Sequence, residues 1–268
     1  MRHRRLVTFS VLALPLGLLI GVSLGALGGG GSILTVPALV YVIGENPRNA
    51  TGASLVIVGV TALTGTIGYA RSRRVRWGPG LVFGVVGIGG SLLGSDLNKL
   101  VDQNVLLLAF ACLMLLAAGA MVQRSAQPTS VQPSAPQAAG DGLTAIRLVG
   151  VAAVGTVVGF TAGFFGVGGG FVVVPGLVLT LGFGMPEAVG TSLLVIALNS
   201  VVALAARGGV TAVDWQVVIP FTAAAMAGSV VGGGLAGRVP GSALERIFAG
   251  LLVLVSVSMA TKSILGLV

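Results

Sequence analysis

The chain holds a single cysteine, Cys112, in the middle of an apolar stretch. An internal disulfide is therefore excluded, and so is any metal set built on cysteines. Charge is nearly as scarce, at 8% of 268 residues, where a soluble domain carries about 25%. Seven residues are acidic: Glu45, Asp96, Asp102, Asp141, Glu187, Asp214 and Glu245. All fall between apolar segments or at their ends. With no Asp, Glu or His inside a span, an intramembrane carboxylate relay is not available. No nucleophile, base or metal set is visible either, so neither an enzyme nor a cofactor is expected.

What remains is oil. The chain is 55% hydrophobic with a mean hydropathy of +1.05, a composition that belongs to a polytopic membrane protein. The net charge of +8 does not point to nucleic acid. Its arginines sit in loops, Arg71, Arg73, Arg74 and Arg76 in one of them, where they set orientation and meet anionic head groups. Trp77 and Trp215 each follow a loop, as interfacial anchors do. The first 28 residues have the basic start and apolar middle of a signal peptide. Retention is expected instead, because the matching segment later in the chain is internal.

That match is a repeat. Shifting the sequence by 138 positions brings Gly21, Gly25, Gly28, Gly30 and Gly31 onto Gly159, Gly163, Gly166, Gly168 and Gly169. Pro37 falls on Pro175, Trp77 on Trp215, and Phe110 on Phe248. Three units follow: a first membrane repeat (1–122), a flexible linker rich in Pro, Ser, Gln and Ala (123–143), and a second membrane repeat (144–268). Each repeat has four apolar segments close to the ~20 residues that span hydrocarbon: 6–27, 50–70, 78–97 and 104–122, then 146–165, 188–206, 215–236 and 244–264. Between the first two of each set lies a shorter piece, 31–44 or 169–184. The expected fold is an all-α integral membrane protein of two homologous repeats. Each has about four transmembrane helices and one glycine-broken, re-entrant half-helix.

The breaks are "GALGGGGSILTVP" and "GFFGVGGGFVVVP". Four adjacent glycines cost a helix roughly 1 kcal/mol each against alanine. Free backbone groups survive at membrane depth only where protein or a polar cavity covers them, and a helix that restarts there presents N–H groups suited to an anion. The candidate binding residues are Gly28, Gly29, Gly30, Gly31, Ser32, Thr51 and Ser54 in the first repeat. In the second they are Gly166, Gly168, Gly169, Gly170, Thr191, Ser192 and Asn199. Pro37 and Pro175 mark the helix breaks. Hydroxyls and the Asn199 amide donate to an oxyanion without bringing charge into the membrane. Competing readings are close helix packing for the glycines and back-bonding to the helix for each hydroxyl.

"GGGGSILTVPAL" with "TGASL", and "GVGGGFVVVPGL" with "VGTSL", make the chain resemble the sulfite exporter TauE/SafE family over nearly its whole length. The resemblance implies a bacterial-type inner-membrane permease for sulfite, organosulfonates and related small anions, usually moving them outward. Ala53 departs from the pattern where the second repeat has Thr191. The expected partners are a small anionic substrate and the lipid bilayer, with a homo-oligomer left open and nucleic acid excluded. A non-transporting accessory protein is the alternative.

Orientation follows from counting bases. With four crossings per repeat and the N-terminus inside, Arg2, Arg4, Arg5, Arg71, Arg73, Arg74, Arg76, Arg124, Arg147, Arg207 and Lys262 are cytoplasmic, against Arg48, Lys99, Arg238 and Arg246 outside. If the short piece also crosses, each repeat has five crossings, the repeats are inverted, and with the N-terminus outside the split becomes 8:7. The positive-inside rule favours the first arrangement.

Overall fold

The structure, a computed structural model, describes residues 2–45, 47–98, 100–101, 103–126, 145–165, 170–206 and 215–264. All regular structure among these residues is helical. The helices are α1 (Arg2–Leu27), α2 (Gly30–Pro37), α3 (Pro47–Arg71), α4 (Trp77–Asn98) and α5 (Gln103–Ala126). They continue with α6 (Ala145–Phe165), α7 (Gly170–Pro175), α8 (Met185–Ala206), α9 (Trp215–Ala236) and α10 (Gly241–Ile264). The segment read as a linker lies outside the described residues except at its start, where α5 carries on to Ala126.

Among the described residues six helices are long and apolar enough to cross a membrane: α3, α4, α5, α8, α9 and α10. The described apolar stretches of α1 and α6, Ala13–Leu27 and Val149–Phe165, are shorter. The outer surface fits hydrocarbon and not water. Leu63, Val85, Leu93, Leu116, Val157, Val201 and Leu254 are each more than half exposed. Leaving such side chains in water forfeits about 1.5–3 kcal/mol apiece.

Two proline-linked breaks have the same form. Proline has no N–H and cannot complete an α-helical hydrogen bond; after Pro37 the chain widens into a π-turn, Ala38–Val42, and after Pro175 into Gly176–Thr180. Gly44 (φ 76°) and Gly182 (φ 70°) then end each piece in the left-handed region, which glycine enters without a Cβ clash.

Glycines also set the packing. Without a hydrophobic drive between helices in lipid, close backbone approach is what holds them. On α1, Gly17, Gly21 and Gly25 lie on the α9 backbone at Phe221, Ala225 and Ser229. On α6, Gly155, Gly159 and Gly163 lie in the same way on α4 at Phe83, Gly87 and Ser91. The constant offset along each pair makes these helices parallel. By contrast α3 and α8 are antiparallel, with Gly59 at Ser200 and Gly65 at Leu193. The end of α5 meets the start of α10, where Arg246 Nε donates to Ser125 Oγ at 3.5 Å.

The favoured topology fails here. An even number of reversals per repeat would make α3 parallel to α8, and they are antiparallel. The reason is α2: Gly31 sits against Ile20 and Leu24, so α2 runs back along α1 and reverses the chain a fifth time.

Candidate functional site

The first break is a tight hairpin between α1 and α2. Gly28 takes φ +68° and donates its N–H to the Leu24 carbonyl at 2.8 Å, closing α1. The Gly29 carbonyl accepts two bonds, from the Ser32 N–H at 3.2 Å and from Ser32 Oγ at 2.7 Å. Gly28 to Gly31 are all buried, as backbone without full helical bonding must be in a membrane.

What buries Gly28, Gly29 and Gly30 is the other half of the chain, while Gly31 lies on α1. A β-carbon on Gly29 would collide with the Gly170 carbonyl and come within 2.6 Å of Phe171 Cα. One on Gly170 would lie 2.6 Å from Ser32 Oγ, and one on Gly28 would strike Ser192 Oγ and reach Val174. The start of α2 therefore abuts the start of α7, with the first turns of α8 alongside. Gly166, Gly168 and Gly169 lie outside the described residues; Gly170 is where the second motif re-enters view.

The hydroxyls divide into two groups. Ser32, Ser54 and Ser192 donate within their own helices, Ser54 Oγ to Thr51 O and Ser192 Oγ to Val189 O, each at 2.8 Å. Thr35 Oγ1 does the same to Gly31 O at 3.0 Å. Buried Thr191 instead receives the Arg76 N–H on its Oγ1 at 3.2 Å, which ties the α3–α4 loop to α8. The Arg76 guanidinium reinforces this tie through Glu187, at 3.0 and 3.3 Å. Thr51 and Ser54 occupy the first two turns of α3, at the opposite end of that helix from Tyr69, whose hydroxyl donates to Gly25 O at 2.9 Å. The structure thus brings Ser192 to the first break and leaves Thr51 and Ser54 at the far end of α3.

Among the described residues three buried polar atoms have no hydrogen-bond partner: Thr61 Oγ1, Asn199 Oδ1 and Thr222 Oγ1. Such a group costs about 1–3 kcal/mol, so each invites a polar guest. Asn199 and Thr61 are the pair matched by the 138-residue shift. Thr222, which sequence reasoning missed, had only its place among apolar neighbours in α9 as a signal.

Comparison with known proteins adds the final element. The family model described as "Sulfite exporter TauE/SafE" matches residues 13–259. A probable membrane transporter protein of Xylella fastidiosa (strain 9a5c) is 34% identical over 257 residues, covering 94% of this chain and 95% of that one. The probable membrane transporter protein YunE of Bacillus subtilis is 27% identical, covering 95% and 98%. The probable membrane transporter protein MJ0441 of Methanocaldococcus jannaschii is 26% identical, over 71% of each chain. No solved structure matches the chain. With a match that runs from α1 into α10, the chain belongs to the sulfite exporter TauE/SafE family.

Proposed function

We propose that the protein is a plasma-membrane permease for a small sulfur oxyanion, sulfite or an organosulfonate. It works by alternating access at a site between two inverted repeats. The observation that carries this reading is the meeting of the two glycine breaks, Gly29 against Gly170 and Phe171. Paired helix interruptions at matching positions of two halves are how transporters build a central site, and inverted halves are a recurrent plan for one. Support for the inversion comes from α3 lying antiparallel on α8, helices that the 138-residue shift makes equivalent. The identical π-turns after Pro37 and Pro175 support the duplication itself.

At such a site the anion takes backbone N–H groups at the start of α2 and neutral hydroxyls of the spans, with Thr61 Oγ1 still short of a partner. Neutral donors suit an anion that must also leave. The glycine seams of α1 on α9 and α6 on α4 favour a second reading, an accessory protein in which glycine serves packing alone. Uptake of radiolabelled sulfite into proteoliposomes, with sulfate and taurine as competitors, separates the two. Saturable, competed flux is the expected result, and its absence from well-folded protein would sink the permease.

A further inference from the structure

The loop between α3 and α4 carries an arginine run that the second repeat does not duplicate in sequence. A cavity of about 210 Å³ opens between α3 and α9, lined by Thr64, Gly65, Tyr69, Ser72, Arg74, Ser229 and Gly233 among others. A single water needs only about 10–15 Å³, so the space holds a small anion with part of its hydration shell.

The lining carries the chemistry of an anion site. Arg74 presents a guanidinium, a rigid fork of donors matched to oxyanions. It has no carboxylate partner among the described residues, in contrast to Arg76 two positions on, which is held by Glu187. Backbone geometry fixes where Arg74 begins. The Arg74 N–H returns to Tyr69 O and the Arg73 N–H to Ala70 O, both at 3.0 Å, the paired bonds that close a helix around a left-handed residue. That residue is Arg73, at φ 54°. Arg74 is half-buried, with its Nη1 close to Gly237 of the α9–α10 turn.

Two hydroxyls on the cavity wall are weakly engaged. Ser72 Oγ reaches Gly68 O, and Ser229 Oγ reaches Thr61 O, both at 3.4 Å, well beyond the ~2.7–2.8 Å usual for hydroxyl donors. Either can turn to a ligand at small cost. Ser229 also leads inward to Thr61, whose own hydroxyl is unpartnered. At the positions matched to Arg71, Arg73, Arg74 and Arg76 the second repeat has Gly209, Thr211, Ala212 and Asp214. The run of four arginines belongs to one half alone.

We propose that this cavity is a capture site for a free oxyanion, with Arg74 as its cation and Ser72 and Ser229 as hydroxyl donors. It gives one face of the permease a higher anion affinity than the other. The inference rests on the permease reading and locates where the substrate first binds. A lipid phosphate has the same chemistry as a free oxyanion, so the test separates the two sources.

The experiment measures sulfite flux in proteoliposomes of pure phosphatidylcholine, and again with anionic phosphatidylglycerol added, alongside equilibrium dialysis of ³⁵S-sulfite with detergent-purified protein. The variants are Arg74→Gln, Arg74→Lys and, as a control in the neighbouring turn, Arg238→Gln. Arg74→Gln is expected to raise the half-saturating sulfite concentration and the dialysis Kd about tenfold or more, the effect of losing one charged hydrogen-bonding group. Arg74→Lys should recover part of this, and Arg238→Gln should leave both values unchanged. Flux with an unchanged half-saturation in Arg74→Gln overturns the capture site and leaves the permease standing. An Arg74 effect seen only with phosphatidylglycerol assigns the cavity to a lipid head group and overturns it equally. Neither flux nor binding in the wild type removes the permease reading, and the capture site with it.

Discussion

Two neighbouring glycines in the first break, each given one methyl group, should separate the working geometry from simple tolerance of bulk. A β-carbon on Gly29 meets only backbone: the Gly170 carbonyl and Phe171 Cα, the latter at 2.6 Å. Backbone atoms of a packed helix start cannot swing aside, so Gly29→Ala must push α2 and α7 apart. Overpacking of this kind costs about 1–3 kcal/mol, or roughly 2–12 °C in the unfolding midpoint at the ~2–4 °C per kcal/mol typical of chains this size. A β-carbon on Gly30 meets Leu251 Cδ2 at 2.7 Å, with nothing else nearer than 3.5 Å. That methyl is the end of a flexible side chain. Displacing it costs about 0.5–1.5 kcal/mol, against a gain of about 0.5–1 kcal/mol for replacing glycine in a helix, and Gly30→Ala comes out near neutral. The assay is thermal unfolding in detergent paired with sulfite flux in proteoliposomes. Gly29→Ala is expected to lose both stability and at least tenfold in flux, and Gly30→Ala to keep its stability. A Gly29→Ala protein as stable and active as the wild type would refute the argument, because the two breaks would then not touch in the working molecule.

Other outcomes follow from equally local geometry. Thr61→Val removes an orphaned hydroxyl at nearly constant volume. The unfolding midpoint should hold or rise while flux falls, and a drop in stability would mean that the hydroxyl has a structural partner. Gly159→Ala drives a methyl into the Gly87 backbone and should cost about 1–3 kcal/mol, whereas Gly89→Ala, with nothing within 4 Å, should match or exceed wild-type stability in the same melt. Arg73→Gly relieves a non-glycine residue at φ 54° and should stabilise by about 1 kcal/mol, with Arg73→Lys unchanged. Glu187→Gln breaks an ion pair whose side chains are 47% and 31% exposed; screening limits the loss to at most about 1 kcal/mol, so a larger drop in midpoint would reveal a buried role.

Helix existence was the legible part, because glycine, proline and tryptophan punctuate the chain at the boundaries themselves. The stretch read as 78–97 is α4, Trp77–Asn98, and the short pieces end at Gly44 and Gly182, in a left-handed conformation that glycine enters without strain. Where α5 stops was less legible. Gln123, Arg124 and Ser125 looked like linker, yet a polar last turn keeps its helical bonds, and Ser125 Oγ donates to Val122 O at 2.9 Å. Partner choice was hidden altogether. Gly21 and Gly159 look alike in sequence, and nothing local says that one meets Ala225 and the other Gly87. The hydroxyl cluster was visible as composition, but that Ser192 reaches the first break is a cross-half relation that requires the tertiary fold.

The direction of α2 shows why a sound rule misled. Counting bases assumed that the short piece enters and leaves by one face, which would leave α1 to cross fully beforehand. Instead α1 ends inside the protein at Gly28, and Gly31 returns along Ile20 and Leu24. The hairpin tip at membrane depth is tolerated because Gly28, Gly29 and Gly30 are covered by α7, α8 and α10. A half with five reversals places its successor upside down, and the arrangement that results is the one whose bases divide 8:7. Charge bias then says almost nothing about orientation. On the permease reading, the barrier between the faces is where the start of α2 meets the start of α7, the backbone contact of Gly29 with Gly170. On that same reading a small shift of α2 or α7 opens this barrier, and a proline-linked π-turn, a recurrent sign of a functional break in a helix, follows each of these two helices.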